Sequence, residues 1–421
     1  MSVKQYLCID LKSFYASVEC VERGLDPMRA HLVVADPQRS KNTICLAVTP
    51  ALKKLGVSNR CRLFEIPSHL SYITAPPRMQ FYIDYAAEIY SIYLEYIDPA
   101  DIHVYSIDEV FMEVTKYLKL YHLSAPELAR FLMKEIFTRL GIPSACGIGT
   151  NLYLAKIALD ITAKHTEDFL GILDEDSYRR LLWNHTPLTD FWRIGRNTAA
   201  RLASFGIYTM KDIARAEESL LYHLFGINAE LLIDHAWGRE PVSISDIKAY
   251  RSSSKSLGSG QVLMRDYSYE EGKLIVKEMM DLLCLELTAK DLVAKSLTLH
   301  VGYAKQFHHP SSHKTLSLPQ PDSLDSVLLP AIVELYQQTV SPSIPIRRVS
   351  ITCNHITSSE YCQQNLFFTQ DTLEKNKKMQ KAVLSIKNKY GNSAIMKGMN
   401  LCPEGTTRER NHQIGGHKSG C

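Results

Sequence analysis

The chain has few of the features that would place it outside the ordinary globular proteins. It spans 421 residues, and no apolar stretch in it approaches the ~18 uninterrupted residues of a membrane helix. Its first segment, MSVKQYLCID, reaches a carboxylate at the tenth position and has no apolar signal core, so no export signal is expected there. The ten cysteines include no Cys-x-x-Cys pair, which suits a reducing cytoplasm better than a disulfide scaffold. Charge of one sign is also missing: 48 Lys and Arg stand against 45 Asp and Glu, a net charge of +3. The balance is nevertheless uneven. From Asp371 onward ten basic residues face four acidic ones, so the surplus lies in the tail. At 45% hydrophobic and 22% charged the chain is expected to fold, and its length predicts two to four domains at ~100–200 residues each.

Val3 to Asp10 reads as a buried strand, and Ser13 to Glu22 as a helix carrying Phe14, Val18 and Val21 on one face. His31–Ala35 and Ile44–Val48 are β-rich runs around a turn, Tyr82–Ile97 is helical, and Asp101–Thr115 reads as two strands meeting at an acidic tip. A strand at Ser144–Thr150 and a helix from Leu152 complete an α+β pattern. Compact helices follow to about residue 241, then a polar tether over Ile247–Gly260. A smaller α+β unit comes next, with strands at Ser296–Tyr303 and Arg348–Asn354. Nothing after Ser358 suggests a core of its own.

Three carboxylates carry the chemistry. Asp10 ends the first strand, and Asp108 and Glu109 close Tyr105-Ser106-Ile107-Asp108-Glu109. Neighbouring strand residues point to opposite faces, so Asp108 and Glu109 converge only where a hairpin bends the ladder. If Asp10 lies beside that bend, like charges crowd together unless a divalent cation neutralises them. An all-oxygen set suits Mg²⁺ or Mn²⁺, and two such ions serve in-line phosphoryl displacement. On the acids alone, a solvated Asp-Glu turn is the simpler reading. Phe14 and Tyr15 just after Asp10, Lys53 and Lys54 in a short helix, and Lys156 after the glycine-rich Cys146–Asn151 stretch add what a triphosphate needs. Core aromatics and solvated lysines are the bland alternative.

Four segments in order resemble the Y-family translesion DNA polymerases: Ile9 to Glu19, Ser106-Ile107-Asp108-Glu109, Gly147 to Asn151 with Leu154-Ala155-Lys156, and Ile194-Gly195. Lys12 to Ser17 and Asn59-Arg60-Cys61-Arg62 point to the UmuC branch, nearest the UvrX-like polymerases of Gram-positive bacteria and their phages. The resemblance implies an α+β multidomain right hand. Its ferredoxin-like palm would take residues 1–13 and 80–169, and small fingers 14–79. A helical helix–hairpin–helix thumb would take 170–241, a linker 242–253, an α+β little finger 254–357 and a tail 358–421. It implies template-directed, error-prone synthesis past damaged bases from dNTPs on primer-template DNA, within DNA repair and the SOS response.

Carried over by motif, Asp10, Asp108 and Glu109 are the catalytic acids. They would hold two Mg²⁺ ions, or Mn²⁺ in substitution, with the backbone carbonyl of Leu11. Tyr15 takes the steric-gate position beside Phe14, and Lys53 and Lys156 resemble the triphosphate-contacting cations. Two departures stand out. Pro50 and Lys53 occupy fingers positions where many relatives have a tyrosine and an arginine, and Lys12 stands where the DinB branch commonly has an aspartate. Ile194 and Gly195 belong to the hairpin expected to meet DNA phosphate, although its usual second glycine is missing. Lys295, Arg347 and Arg348 are candidates to follow the DNA backbone. Gln363, Leu366 and Phe367, in Gln-x-x-Leu-Phe form, resemble a sliding-clamp peptide, with packing onto the chain's own domain as the alternative. Lys375–Lys389 reads as a solvated basic helix, with DNA or a recombinase filament as possible partners; a UmuD-like partner is also implied. His308, His309 and His313 read as a solvated loop. Two rivals are a catalytically silent scaffold for DNA and the clamp, which intact acids argue against, and a nucleotide cyclase, which would have no use for a thumb hairpin.

Overall fold

The computed structural model describes residues 3–39, 42–251, 254–359 and 370–420, and the chain divides into two compact units that meet in sequence near Arg251 and Ser252. The first opens with β1 (Tyr6–Leu11), whose side chains are buried on both faces, as a central strand requires. Ser13 takes a left-handed conformation at φ 48° and turns the chain into α1 (Phe14–Val21). A small excursion follows: β2 (Leu32–Val34), β3 (Ala47–Val48), α2 (Pro50–Lys54) and β4 (Ile73–Ala75), with the three strands in the order β3-β2-β4. Val33, Cys45, Val48, Leu52 and Ile66 give it a core of its own.

The chain then returns through α3 (Met79–Leu94) to the hairpin β5 (Ile102–Val104) and β6 (Glu109–Glu113). After α4 (Thr115–Tyr121) and α5 (Ala125–Leu140) come β7 (Ser144–Gly149), α6 (Leu152–Ile157) and β8 (Leu170–Leu173). The five-stranded sheet has the order β5-β6-β1-β7-β8, with β1 antiparallel to both neighbours and β8 parallel to β7. The glycines of β7 are set by helix packing. A Cβ on Gly147 would fall 2.0 Å from the Ala155 carbonyl oxygen, and one on Gly149 2.2 Å from the Ala155 nitrogen, so α6 can lie against the strand only where both lack side chains.

Five short helices follow: α7 (Glu175–Leu182), α8 (Arg196–Ala203), α9 (Met210–Arg215), α10 (Glu218–Phe225) and α11 (Asn228–Ala236). Tyr178, Phe191, Leu202, Met210 and Leu221 form their shared core. The expected linker over 242–253 is corrected by α12 (Ile244–Ala249). Ser243 and Asp246 cap that helix reciprocally, and Ile244, 2% exposed, packs with Tyr6 and Cys8 of β1.

The second unit contains β9 (Ser256–Tyr267), α13 (Tyr269–Ala289), β10 (Leu292–Tyr303), β11 (Ser312–Asp322), α14 (Asp325–Thr339), β12 (Ile346–Asn354) and the short β13 (Thr357–Ser358). Its antiparallel sheet has the order β11-β10-β12-β9, and α13 and α14 cover one face. β9 therefore begins inside the stretch read as a tether. The tail is a second correction. Its helix α15 (Gln370–Tyr390) carries the buried Gln380, which hydrogen-bonds Thr288 of α13. Beyond it Asn400 and the Thr406 N–H donate to the buried Glu278 carboxylate at 2.9 and 2.7 Å, and Lys397 pairs with Asp281 at 2.7 Å. Polar contacts hold the tail, so hydropathy did not reveal it. Among the described residues no helix is long and apolar enough to cross a membrane.

Candidate active site

Strand register brings the acids together. Asp10 pairs directly with Glu109 across β1 and β6, so both side chains leave the sheet on one face. Asp108 stands one residue before β6, on the hairpin tip, where its carbonyl accepts the Leu11 N–H at 2.9 Å and its carboxylate accepts the Ser106 hydroxyl at 2.7 Å. Burial first, then the charges of Asp108 and Glu109, push the Asp10 carboxyl up to about 7; Lys156 acts in the opposite sense. Like charges therefore crowd this spot, as the spacing of the acids in the sequence implied.

Glu109 is 8% exposed and engaged elsewhere: its carboxylate accepts from Lys156 Nζ at 2.9 Å and from the Cys8 thiol at 3.2 Å. Lys156 also pairs with Asp160 at 3.1 Å. Burial disfavours its charge, but Asp160, Cys8 and Glu109 outweigh that and raise its pKa. Lys156 lies in the last turn of α6, where the helix widens into a π turn over Ala158–Thr162. Asn151 caps the start of that helix by accepting the Leu154 N–H at 2.8 Å. Lys156 thus restrains an acid here.

A second group of cations lies within reach of the acids. Lys53 donates to the Ser13 hydroxyl at 2.9 Å, and its pKa is lowered by burial and by Lys164, with Asp10 and Asp108 opposing. Burial likewise lowers Lys12, which feels Asp10 and the charges of Lys53, Lys164 and Lys54. Four lysines share one field beside two carboxylates. Lys164 was not singled out from the sequence, because a lysine seven residues past the end of α6 carries no local pattern; Lys12 was noted only as a departure.

Tyr15 is half-buried and stacks on Tyr82, ring centres 4.6 Å apart, and its pKa is raised by burial and by Asp108. Tyr82 donates to Glu19 at 2.7 Å, and Glu19, wholly buried, accepts two further bonds from Arg78 at 2.9 and 3.0 Å and one from Arg23. Phe14 is 2% exposed and belongs to the core beside Tyr15. In the helical region Ile194 is buried at 5%, while Gly195, exposed, starts α8 with open space around its Cβ position. Arg193 replaces the missing glycine and holds the left-handed conformation itself at φ 67°. Gln363, Leu366 and Phe367 lie outside the described residues.

Asp10, Asp108 and Glu109 offer only oxygen donors, and their crowding is relieved by a divalent cation, so the donor set fits Mg²⁺ or Mn²⁺. Among the described residues no three acidic, histidine or cysteine groups are already gathered as a cage, consistent with Glu109 being turned to Lys156.

The impB/mucB/samB family model matches residues 9–160, and the model of that family's C-terminal domain matches residues 254–366. The UvrX protein of Bacillus subtilis (strain 168), named for UV-damage repair, is 31% identical over 99% of this chain and 98% of its own length. DNA polymerase IV 2 of the same strain is 30% identical over 99% of both. A Y-family DNA polymerase chimera of known structure superposes with a TM-score of 0.64, at 20% identity, over 84% of this chain and 99% of its own. The chain belongs to the impB/mucB/samB family of Y-family DNA polymerases. Its fold is theirs, with palm, fingers, thumb and little finger.

Proposed function

We propose that the chain is a template-directed DNA polymerase that extends primers past damaged bases, using dNTPs and two Mg²⁺ ions, with Mn²⁺ as a substitute. The observation that carries this reading is the pairing of Asp10 with Glu109 beside Asp108, with Lys12, Lys53, Lys54 and Lys164 close by. Asp10, Asp108, Glu109 and the Leu11 carbonyl would hold the ions, which when bound supply charge neutralisation for attack of a primer 3′-hydroxyl on the α-phosphate. The chain's own residues do the remaining work. Lys53 and Lys164 receive the triphosphate charge, and Lys12 adds to their field. Tyr15, braced by Tyr82, fills the space of a ribose 2′-hydroxyl. Lys156 holds the Glu109 carboxylate in place until the substrates arrive.

The palm is taken as 1–13 and 80–169 and the fingers as 14–79; the thumb as 170–241, where the Ile194–Gly195 turn offers backbone N–H groups to DNA phosphate. Gln363–Phe367 is proposed to engage the sliding clamp, and a recombinase filament or a UmuD-like protein to assist during the SOS response in the cytoplasm. The scaffold alternative gains nothing from this site, whose acids are intact. Primer extension across one abasic site tests the reading. Products beyond the lesion that vanish in Asp108→Ala/Glu109→Ala support it; arrest at the lesion with normal extension of undamaged template removes the lesion-bypass claim.

A further inference from the structure

One ring system joins the thumb turn to the catalytic hairpin. Trp192 immediately precedes Arg193 and the Ile194–Gly195 turn. Its indole N–H donates to the Tyr105 hydroxyl at 3.1 Å, and the two rings meet edge to face at 5.9 Å. Tyr105 also meets the Phe111 ring at 5.7 Å, and its backbone N–H donates to the Glu109 carbonyl at 3.0 Å. It is thus the first residue of the loop that carries Ser106 and Asp108. On the far side Trp192 faces His235 at 6.0 Å, and His235 stacks on Tyr153 at 3.9 Å. His235 is itself 3% exposed and pairs with Glu240 at 3.1 Å. Trp192 is therefore anchored at its back by a buried column, while its polar edge reaches the one hydroxyl that heads the catalytic loop.

We propose that Trp192 and Tyr105 are a positioning pair that ties the DNA-binding turn of the thumb to the loop carrying Asp108, so that a seated duplex sets that loop for metal binding. Tyr105 lies 45% exposed, so packing alone does not require its hydroxyl. The loop has no other side-chain anchor to the thumb helices among the hydrogen bonds of the described residues. A duplex that steadies the thumb turn steadies the indole, and the indole steadies the peptide run leading to Asp108. Neither residue touches the reacting atoms. The inference rests on the reading of the thumb turn as a phosphate contact.

The test uses the full chain with a dideoxy-terminated primer-template and dNTP, so that no chemistry occurs, and titrates Mn²⁺ by its paramagnetic signal. Trp192→Phe keeps a ring and removes the donor; Tyr105→Phe removes the acceptor. Each is expected to weaken Mn²⁺ binding roughly two- to tenfold, the range of one hydrogen bond, with duplex affinity measured without metal and melting temperature unchanged. The double variant should be no worse than either single one. Unchanged Mn²⁺ affinity in both single variants, or losses that multiply in the double variant, would overturn the pairing. Loss of duplex affinity with Mn²⁺ binding intact would overturn it too, by showing that the pair only shapes the thumb. Hydrogen exchange at residues 195–203 separates the two levels. If duplex DNA does not slow it, the thumb reading fails; if it does while Mn²⁺ affinity is unmoved, the coupling alone fails.

Discussion

Asp10→Asn should make the metal-free protein more stable while removing its activity. In the folded chain the Asp10 carboxyl titrates at about 7 against 3.8 for a free side chain. The folded state therefore holds a proton that the unfolded state has released between those values. Stability is lost as pH rises through that window, because folding then places a charged Asp10 beside Asp108 and Glu109. At about 1.4 kcal/mol per unit the full gap is worth roughly 4 kcal/mol above pH 7. Remaining solvent contact trims this to about 2–4 kcal/mol. Asn removes the charge and keeps the shape. For a unit of this size each kcal/mol moves the melting temperature by about 2–4 °C, so the variant should melt about 5–15 °C higher near pH 8. The gain should shrink as pH falls through that window and vanish only below about pH 3, where wild-type Asp10 is protonated in both states. Mg²⁺ should narrow the gap from the other side by stabilising only the wild type. The assay is thermal unfolding of both proteins with chelator and with Mg²⁺ across that pH range. A variant equal to or less stable than the wild type near pH 8, or a difference that ignores pH, would refute the reasoning.

Tyr15→Ala should cost discrimination against ribonucleotides by at least about tenfold, read as the ratio of incorporation efficiencies for matched dNTP and rNTP; Tyr15→Phe should keep it. Arg78→Ala strips two hydrogen bonds from the wholly buried Glu19 and is expected to destabilise the chain by about 3–5 kcal/mol in denaturant unfolding; a loss below about 1 kcal/mol would mean that Arg23 and Tyr82 suffice. Gly147→Ala should yield misfolded protein, because its Cβ would lie 2.0 Å from the Ala155 carbonyl oxygen, whereas Gly195→Ala, with nothing within 4 Å, should melt like the wild type.

The acidic hairpin was legible because its signals are local. An apolar strand ending on Asp10 and alternating runs meeting at Asp108-Glu109 put the acids at one end of the sheet, and β register then places Asp10 opposite Glu109. The glycine-rich strand was legible as a position but not in its packing role: Gly147 and Gly149 admit α6, and Lys156, which follows them, donates to Glu109. Lys164 escaped notice because convergence with Lys53 and Lys12 is a property of three separate chain segments. The helix Ile244–Ala249 had a readable cap in Ser243 and Asp246, but the serine and glycine content after it dominated the reading. The tail docks through Glu278, Asn400 and Thr406, a polar network that leaves no hydrophobic period. Arg193 takes the left-handed conformation at φ 67° just before Ile194–Gly195, a backbone state that costs a non-glycine residue roughly 1 kcal/mol and that composition alone did not signal.

The most direct measurement is a single-turnover incorporation of one matched dNTP on undamaged primer-template, as Mg²⁺ is varied, by the wild type and by Asp108→Ala. The account predicts a wild-type rate that saturates with Mg²⁺, and a variant that binds DNA equally and incorporates at least about a thousandfold more slowly at every Mg²⁺ concentration. An Asp108→Ala protein that incorporates at the wild-type rate would contradict the assignment of this hairpin as the catalytic centre.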